Sequence, residues 1–134
     1  MRLLIGIVCA VVLAAGAAAA SSYHSMYARL GGYAGVSSIS SDLISRLAAD
    51  PKLQTYFANI SPAQRAALAK YAADYACNEA GGGCHAVAPN INLVRNTPSY
   101  AQEQKQAAVS DLKQTLQAHH VPADIRFAIL QTVR

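Results

Sequence analysis

Two cysteines that flank a run of glycines have the most specific spacing in this sequence. Cys77 and Cys84 are seven residues apart, with three glycines at 81–83 between them. Seven residues span about 10 Å along an unbroken helix, which is too far for a disulfide, but the glycines allow the chain to double back. We therefore predict a Cys77–Cys84 disulfide. The alternative is a metal site formed by both thiolates and His85, which would lack the fourth ligand that zinc requires.

The other candidate ligands and proton carriers are histidines and tyrosines. His119 and His120 come at the end of a predicted helix, where a protonated imidazole complements the helix dipole, and His24 lies near the amino terminus. Tyr71 and Tyr75 are on an alanine-rich helix, where tyrosines most often pack, although a tyrosinate can also bind ferric iron. The sequence predicts no catalytic residue among them.

Composition narrows the class of protein. The 134 residues are 53% hydrophobic and 13% charged, and the formal net charge is +4. These values exclude a disordered chain and a strongly basic nucleic-acid binder with long charged runs, so we expect no nucleic-acid partner. The length is that of one domain.

Much of the hydrophobic excess lies in residues 1–20. Arg2 is followed by an apolar stretch at 3–13 and by small residues up to Ala20, which is typical of a signal peptide cleaved after Ala20. The alternative is a membrane anchor, but the second half of the segment is alanine and glycine. We predict a protein that is exported to the periplasm or secreted, that meets a membrane only through its signal peptide, and whose mature domain is 21–134.

Hydrophobic spacing in the mature domain is helical throughout, and prolines and glycines divide it into four main helices and two short ones. The predicted elements are a short helix from Ser22 to Leu30, a helix ending near Ala49, a short helix around Leu53 to Phe57, a helix from the Ser61 cap to about Cys77, a loop at 81–96, a helix from Thr97 and Pro98 to His119 and His120, and a last helix opened by Pro122. No alternating run predicts a strand, so we expect an all-α domain.

Two of these helices have apolar faces that the structure can test. In the helix after the predicted Ser61 capping box, the face consists of Leu68, Ala72 and Ala76. In the last helix, the residues expected to face inward are Ile125, Ile129 and Val133.

Four blocks of the mature domain resemble, in the same order, those of group 1 truncated haemoglobins, particularly exported relatives with paired cysteines. The blocks are YARLGGYAGV, SDLISRLAADPKLQTYFANI, CNEAGGGC and VSDLKQTLQAHHVP. The resemblance covers nearly all of the mature domain. It implies a shortened globin-like fold of two crossed antiparallel helix pairs, haem b as the cofactor, and binding of O2 or NO.

The resemblance also assigns the positions of a haem pocket. The family's proximal histidine matches Arg95, which has no free lone pair for iron, and its distal tyrosine matches Ile44. The next distal positions fall at Leu68 and Ala72, and Phe57 matches the aromatic residue that packs on the porphyrin. These matches imply an apolar pocket without the family's usual iron ligand.

Several functions remain open at this point. His85 or Tyr71 could ligate the iron instead, and Arg95 could pair with a haem propionate. We predict an exported truncated-haemoglobin-like protein that binds haem. The alternative is a haem-free globin-like module that binds another apolar small molecule or a partner. We predict no enzyme activity. The runner-up is a nitric-oxide dioxygenase or peroxidase, but such enzymes need polar distal groups, and Ile44, Leu68 and Ala72 provide none.

Overall fold

The computed structural model of the chain describes residues 26–91 and 102–133. Within these ranges helices are the only regular secondary structure, which confirms the predicted all-α class. None of the helices within them is long and apolar enough to cross a bilayer. The predictions that lie outside the described residues are the signal peptide with its cleavage after Ala20, His24, Arg95, and the helix start at Thr97 and Pro98.

Glycines connect the first helical turn to the first long helix. Residues 26–29, part of the predicted first helix, are helical, and Gly31 then adopts a left-handed φ of 90°, which glycine does without steric cost. The first long helix, α1 (Gly32–Ala49), follows. A Cβ atom at Gly35 would overlap the carbonyl oxygen of Leu30, so this close approach of the two segments requires glycine. The short helix α2 (Gln54–Phe57) comes next, as predicted.

Ser61 begins the helix α3 (Pro62–Glu79) with the predicted capping box. The Ser61 hydroxyl accepts a hydrogen bond from the Gln64 backbone N–H at 3.2 Å, and the Gln64 side-chain oxygen accepts one from the Ser61 N–H at 2.9 Å. Such a cap stabilises a helix by about 1 kcal/mol. The helix continues two residues beyond the predicted end at Cys77.

The end of α3 reverses the chain through a Schellman motif. The Gly82 N–H donates to the Cys77 carbonyl oxygen at 2.7 Å, and the Gly81 N–H donates to the Asn78 carbonyl oxygen at 3.1 Å. Gly81 has a φ of 87°, the left-handed conformation that this motif places after a helix. The glycines therefore turn the chain back towards Cys77.

This reversal brings the two cysteines together. Cys77 and Cys84 form a disulfide with their Cα atoms 5.7 Å apart, which confirms the predicted pair. A Cβ atom at Gly82 would overlap Cys77 Sγ and the ring of Tyr27, so the chain closes tightly over the buried end of α3.

The helices α4 (Gln102–Ala118) and α5 (Ala123–Thr132) are joined by a second Schellman motif. The Val121 N–H donates to the Leu116 carbonyl oxygen at 3.0 Å, and the His120 N–H donates to the Gln117 carbonyl oxygen at 3.0 Å. His120 takes the left-handed position here, with a φ of 53°. The predicted helix end at His119 and His120 is confirmed.

Helix α1 is central to the packing. It contacts α3 most extensively, then α4, while α5 packs against α4, and α3 has few contacts with α4 or α5. The buried core consists of three clusters: Ile44, Leu53, Tyr56, Phe57 and Ala107; Val36, Ala73 and Cys77; and Leu116, Val121 and Ile125. This helical arrangement is consistent with a shortened globin-like fold.

The prediction that Val133 faces inward is wrong. Ile125 is buried and Ile129 packs against the same cluster, as predicted, but Val133 is 38% exposed. Helix α5 ends at Thr132, and Val133 has a φ of −109° and a ψ of 4°. The helical spacing that predicted a buried Val133 therefore stops one residue before it.

Candidate functional site

An apolar cleft of about 410 Å³, the first cleft, opens between α3 on one side and α4 and α5 on the other. Helix α1 completes its wall through Ile39 and Leu43, among others. Apart from the hydroxyl groups of Ser40, Tyr71 and Tyr75, the side chains that line it are apolar. This volume lies within the usual range for small-molecule sites, which are concave and mostly apolar.

The face predicted for α3 forms one wall of the first cleft. Leu68, Ala72 and Ala76 all line it, because residues four apart lie on the same side of a helix. Tyr71 and Tyr75 are next to them, with ring centroids 6.4 Å apart and planes tilted by 41°. The two alanines leave space between α3 and the opposite helices that larger side chains would fill.

The structure separates the pocket positions expected from the resemblance. Leu68 and Ala72 line the first cleft. Ile44 and Phe57 do not; they are 7% and 8% exposed in one packed cluster, which Leu68 also contacts. The expected pocket is thus divided between a filled core and an open cleft, and Arg95 lies outside the described residues.

The two alternative iron ligands lie in different places. Tyr71 is half-buried on the wall of the first cleft, whereas His85 is exposed in the loop after the disulfide and does not line the cleft. Within residues 26–91 and 102–133, no three side chains of the usual metal-binding types are grouped to hold an ion. The walls of the first cleft are apolar apart from three hydroxyl groups, two of which are tyrosine phenols, a group that can ligate ferric haem iron.

A second cleft, of about 550 Å³, lies against α1 and α4 and shares two residues with the first. The shared residues are Leu43 and Leu112. Lys105 lines the second cleft and is the only charged side chain among the described residues that line either cleft. The two apolar spaces are therefore neighbours across a single leucine pair, and a cation lies beside one of them.

A buried carboxylate joins α1 to α3, a contact that the sequence analysis missed. Asp74 on α3 is 8% exposed; it accepts hydrogen bonds from the Lys70 ammonium and, at 2.7 Å, from the Tyr33 hydroxyl. The Lys70 ammonium and then the Tyr33 hydroxyl hold the pKa of Asp74 below its ordinary value. The i,i+4 spacing of Lys70 and Asp74 is readable in the sequence, but Tyr33 comes from a distant segment.

A second carboxyl, that of Asp111, lies between α1 and α4, and one of its oxygens is unsatisfied among the described residues. Oδ2 of Asp111 is buried and accepts no hydrogen bond from the described residues. Burial, followed by the nearby Asp50 carboxylate, raises the pKa of Asp111 above its ordinary value, and Arg46 acts in the opposite direction. Because nothing local in the sequence brings Asp50 and Asp111 together, only the packing of the helices could identify this pair.

His119 lines neither cleft and instead contacts Asp42 on α1. Its Nε2 atom lies 3.2 Å from Oδ2 of Asp42, and Arg46 Nε donates to the same oxygen at 3.1 Å. These side chains link the end of α4 to the middle of α1. His120 is exposed beside them.

In comparisons with known proteins, no family model and no curated protein matches this chain.

Proposed function

We propose that this chain is an exported truncated-haemoglobin-like protein that binds a small, largely apolar molecule in the first cleft, and that haem b is this molecule. The single observation that carries the proposal is the first cleft itself, an open space of about 410 Å³ with apolar walls. Such surface is unfavourable in water, and exposed apolar patches commonly mark binding sites. A bound ligand would cover it.

Two features favour haem among apolar ligands. Leu68 and Ala72, which the resemblance places on the distal side of a haem, both line the first cleft, and their side chains would pack on the macrocycle. The Tyr71 phenol is the protein ligand that we assign to the iron, because a tyrosinate can ligate ferric haem. Bound haem would supply an iron centre for O2 or NO.

Other observations favour a second candidate, a haem-free binding module with the same cleft. Ile44 and Phe57 lie in a packed cluster rather than on the cleft wall. Arg95 occupies the position where the resemblance expects the proximal histidine, and a guanidinium does not ligate iron. In this candidate another apolar small molecule takes the place of haem.

A haemin titration separates the two candidates. The protein, purified after export, is titrated with haemin while the Soret band is followed by absorbance. Haem binding predicts a saturable shift that is complete at one equivalent. A shift that never saturates would reject haem and leave the haem-free module, which would still bind an apolar dye in competition with other apolar molecules.

Substitutions then identify the iron ligand. Tyr71→Phe should remove the charge-transfer band of a ferric tyrosinate, while Tyr27→Phe, a tyrosine that packs near the disulfide and does not line the cleft, should leave the spectrum unchanged. His85→Ala distinguishes the other candidate ligand. Arg95→His should tighten haemin binding, since it restores an imidazole at the expected proximal position; unchanged affinity would count against that assignment.

A further inference from the structure

The two clefts meet at a pair of leucines. Leu43 on α1 and Leu112 on α4 line both spaces, and both side chains are only partly buried. The first cleft measures about 410 Å³ and the second about 550 Å³. The two apolar spaces therefore adjoin at two flexible aliphatic side chains.

The charge beside the second cleft is positive. Lys105 is exposed on the second cleft, and no carboxylate among the described residues forms an ion pair with it. The first cleft, by contrast, is lined by uncharged side chains throughout. Two adjoining apolar spaces with an ammonium beside one of them are complementary to a molecule with an apolar chain and an anionic end.

We propose that these joined clefts bind a single-chain amphiphile with an anionic head group, of the long-chain carboxylate class. The carboxylate pairs with the Lys105 ammonium, and the alkyl chain runs through the second cleft, passes between Leu43 and Leu112, and ends in the first cleft. This inference extends the proposed function, because it relies on the first cleft as a ligand site. Haem and the amphiphile then compete for the first cleft.

The length of the ligand's alkyl chain tests whether the ligand extends from the second cleft into the first. Octanoate, decanoate and dodecanoate are titrated into the purified exported protein by calorimetry, each below its micelle concentration. Burial of each added methylene should tighten binding, up to about fourfold per methylene, and the gain should continue to dodecanoate because the alkyl chain can enter the first cleft. A gain that stops after octanoate would overturn the joined path.

Charge tests the head-group position. Lys105→Ala should weaken decanoate binding about threefold, as expected for a solvent-exposed ion pair, and leave the binding of neutral decanol unchanged. Lys113→Ala is the matched control, since Lys113 is also exposed on α4 but lines neither cleft. Equal effects of the two substitutions, or equal losses for decanoate and decanol, would overturn the role of Lys105.

Two further outcomes decide between this inference and its alternatives. If haemin binds and dodecanoate neither binds nor displaces it, the proposed function stands and the amphiphile is rejected. If light scattering finds a concentration-dependent dimer and dodecanoate does not bind to it, the inference is rejected. Displacement of haemin by dodecanoate at one equivalent supports it.

Discussion

Adjacent residues on α1 lie in opposite surroundings. Ile44 is 7% exposed in a cluster with Tyr56 and Phe57, whereas Leu43 lines the two clefts. Successive side chains on a helix point about 100° apart, so one helix can face a filled core and an open cleft. Both sides of α1 are apolar in sequence. The difference comes from the partners: the aromatic residues of α2 pack around Ile44, whereas alanines of α3 leave the first cleft open beside Leu43.

The largest expected effect tests this contrast directly. Ile44→Ala should lower the free energy of unfolding by about 2–4 kcal/mol, because it creates a cavity in a packed cluster. Leu43→Ala removes an equally large side chain from a wall that is already open, so we expect a loss of about 1 kcal/mol. Urea unfolding measures both values. Equal losses would show that the two sides of α1 are packed alike.

A smaller effect concerns the polar contact between the packed side of α1 and α4. Oδ2 of Asp111 is buried with no hydrogen-bond partner among the described residues, and Asp50 lies nearby; a neutral amide at position 111 removes the repulsion between the two carboxylates. Asp111→Asn should therefore raise the free energy of unfolding by about 1 kcal/mol at pH 7. Urea unfolding across a pH series measures the difference between the variant and the natural protein.

The sign of the pH dependence follows from the pKa shift. The pKa of Asp111 is raised in the folded protein, so its favourable contribution is complete below the ordinary carboxyl pKa of about 3.9 and is lost as the pH rises through the raised pKa. Asp74 is the control with the opposite sign, since its lowered pKa gives stability that is lost as the pH falls. Parallel profiles for Asp111→Asn and Asp74→Asn would contradict the two assignments.

The smallest expected effect concerns the turn after α4, which stabilises the helices but lines neither cleft. His120 holds a left-handed φ of 53° after α4, and Leu112 and Leu116 of that helix line the first cleft. His120→Gly should raise the free energy of unfolding by about 0.5 kcal/mol, because glycine adopts this conformation without strain. Thermal unfolding checks the gain, and ligand affinity should stay the same. A change in affinity would mean that the cleft depends on this turn.

Local signals in the sequence predicted the helix ends and the disulfide well. The Ser61 capping box, the helix end at His120 and the Cys77–Cys84 disulfide depend on residues within eight positions of one another, and the structure contains all three. The α3 face of Leu68, Ala72 and Ala76 follows from helical spacing alone. Such features are predictable because each is formed within one segment of chain.

The candidate site was predicted less completely. The resemblance to truncated haemoglobins placed Ile44 and Phe57 with Leu68 and Ala72 in one pocket, but the structure packs the first two in the core and opens the cleft beside the others. The Asp50–Asp111 and Tyr33–Asp74 contacts were missed. Each of these depends on how α1 meets another helix, and a single sequence carries no local signal for that geometry.

The sequence by itself determined the helices of the described residues, their caps and turns, and the disulfide, because hydrogen bonding and backbone conformation are decided between near neighbours. Only the tertiary structure decided which apolar residues are core and which are cleft wall. Leu43 and Ile44 are alike in hydrophobicity and adjacent in the chain, yet one lines two clefts and the other is buried. The physical reason is that burial depends on the volume that the neighbouring helices supply, and that volume is set by packing across the whole domain.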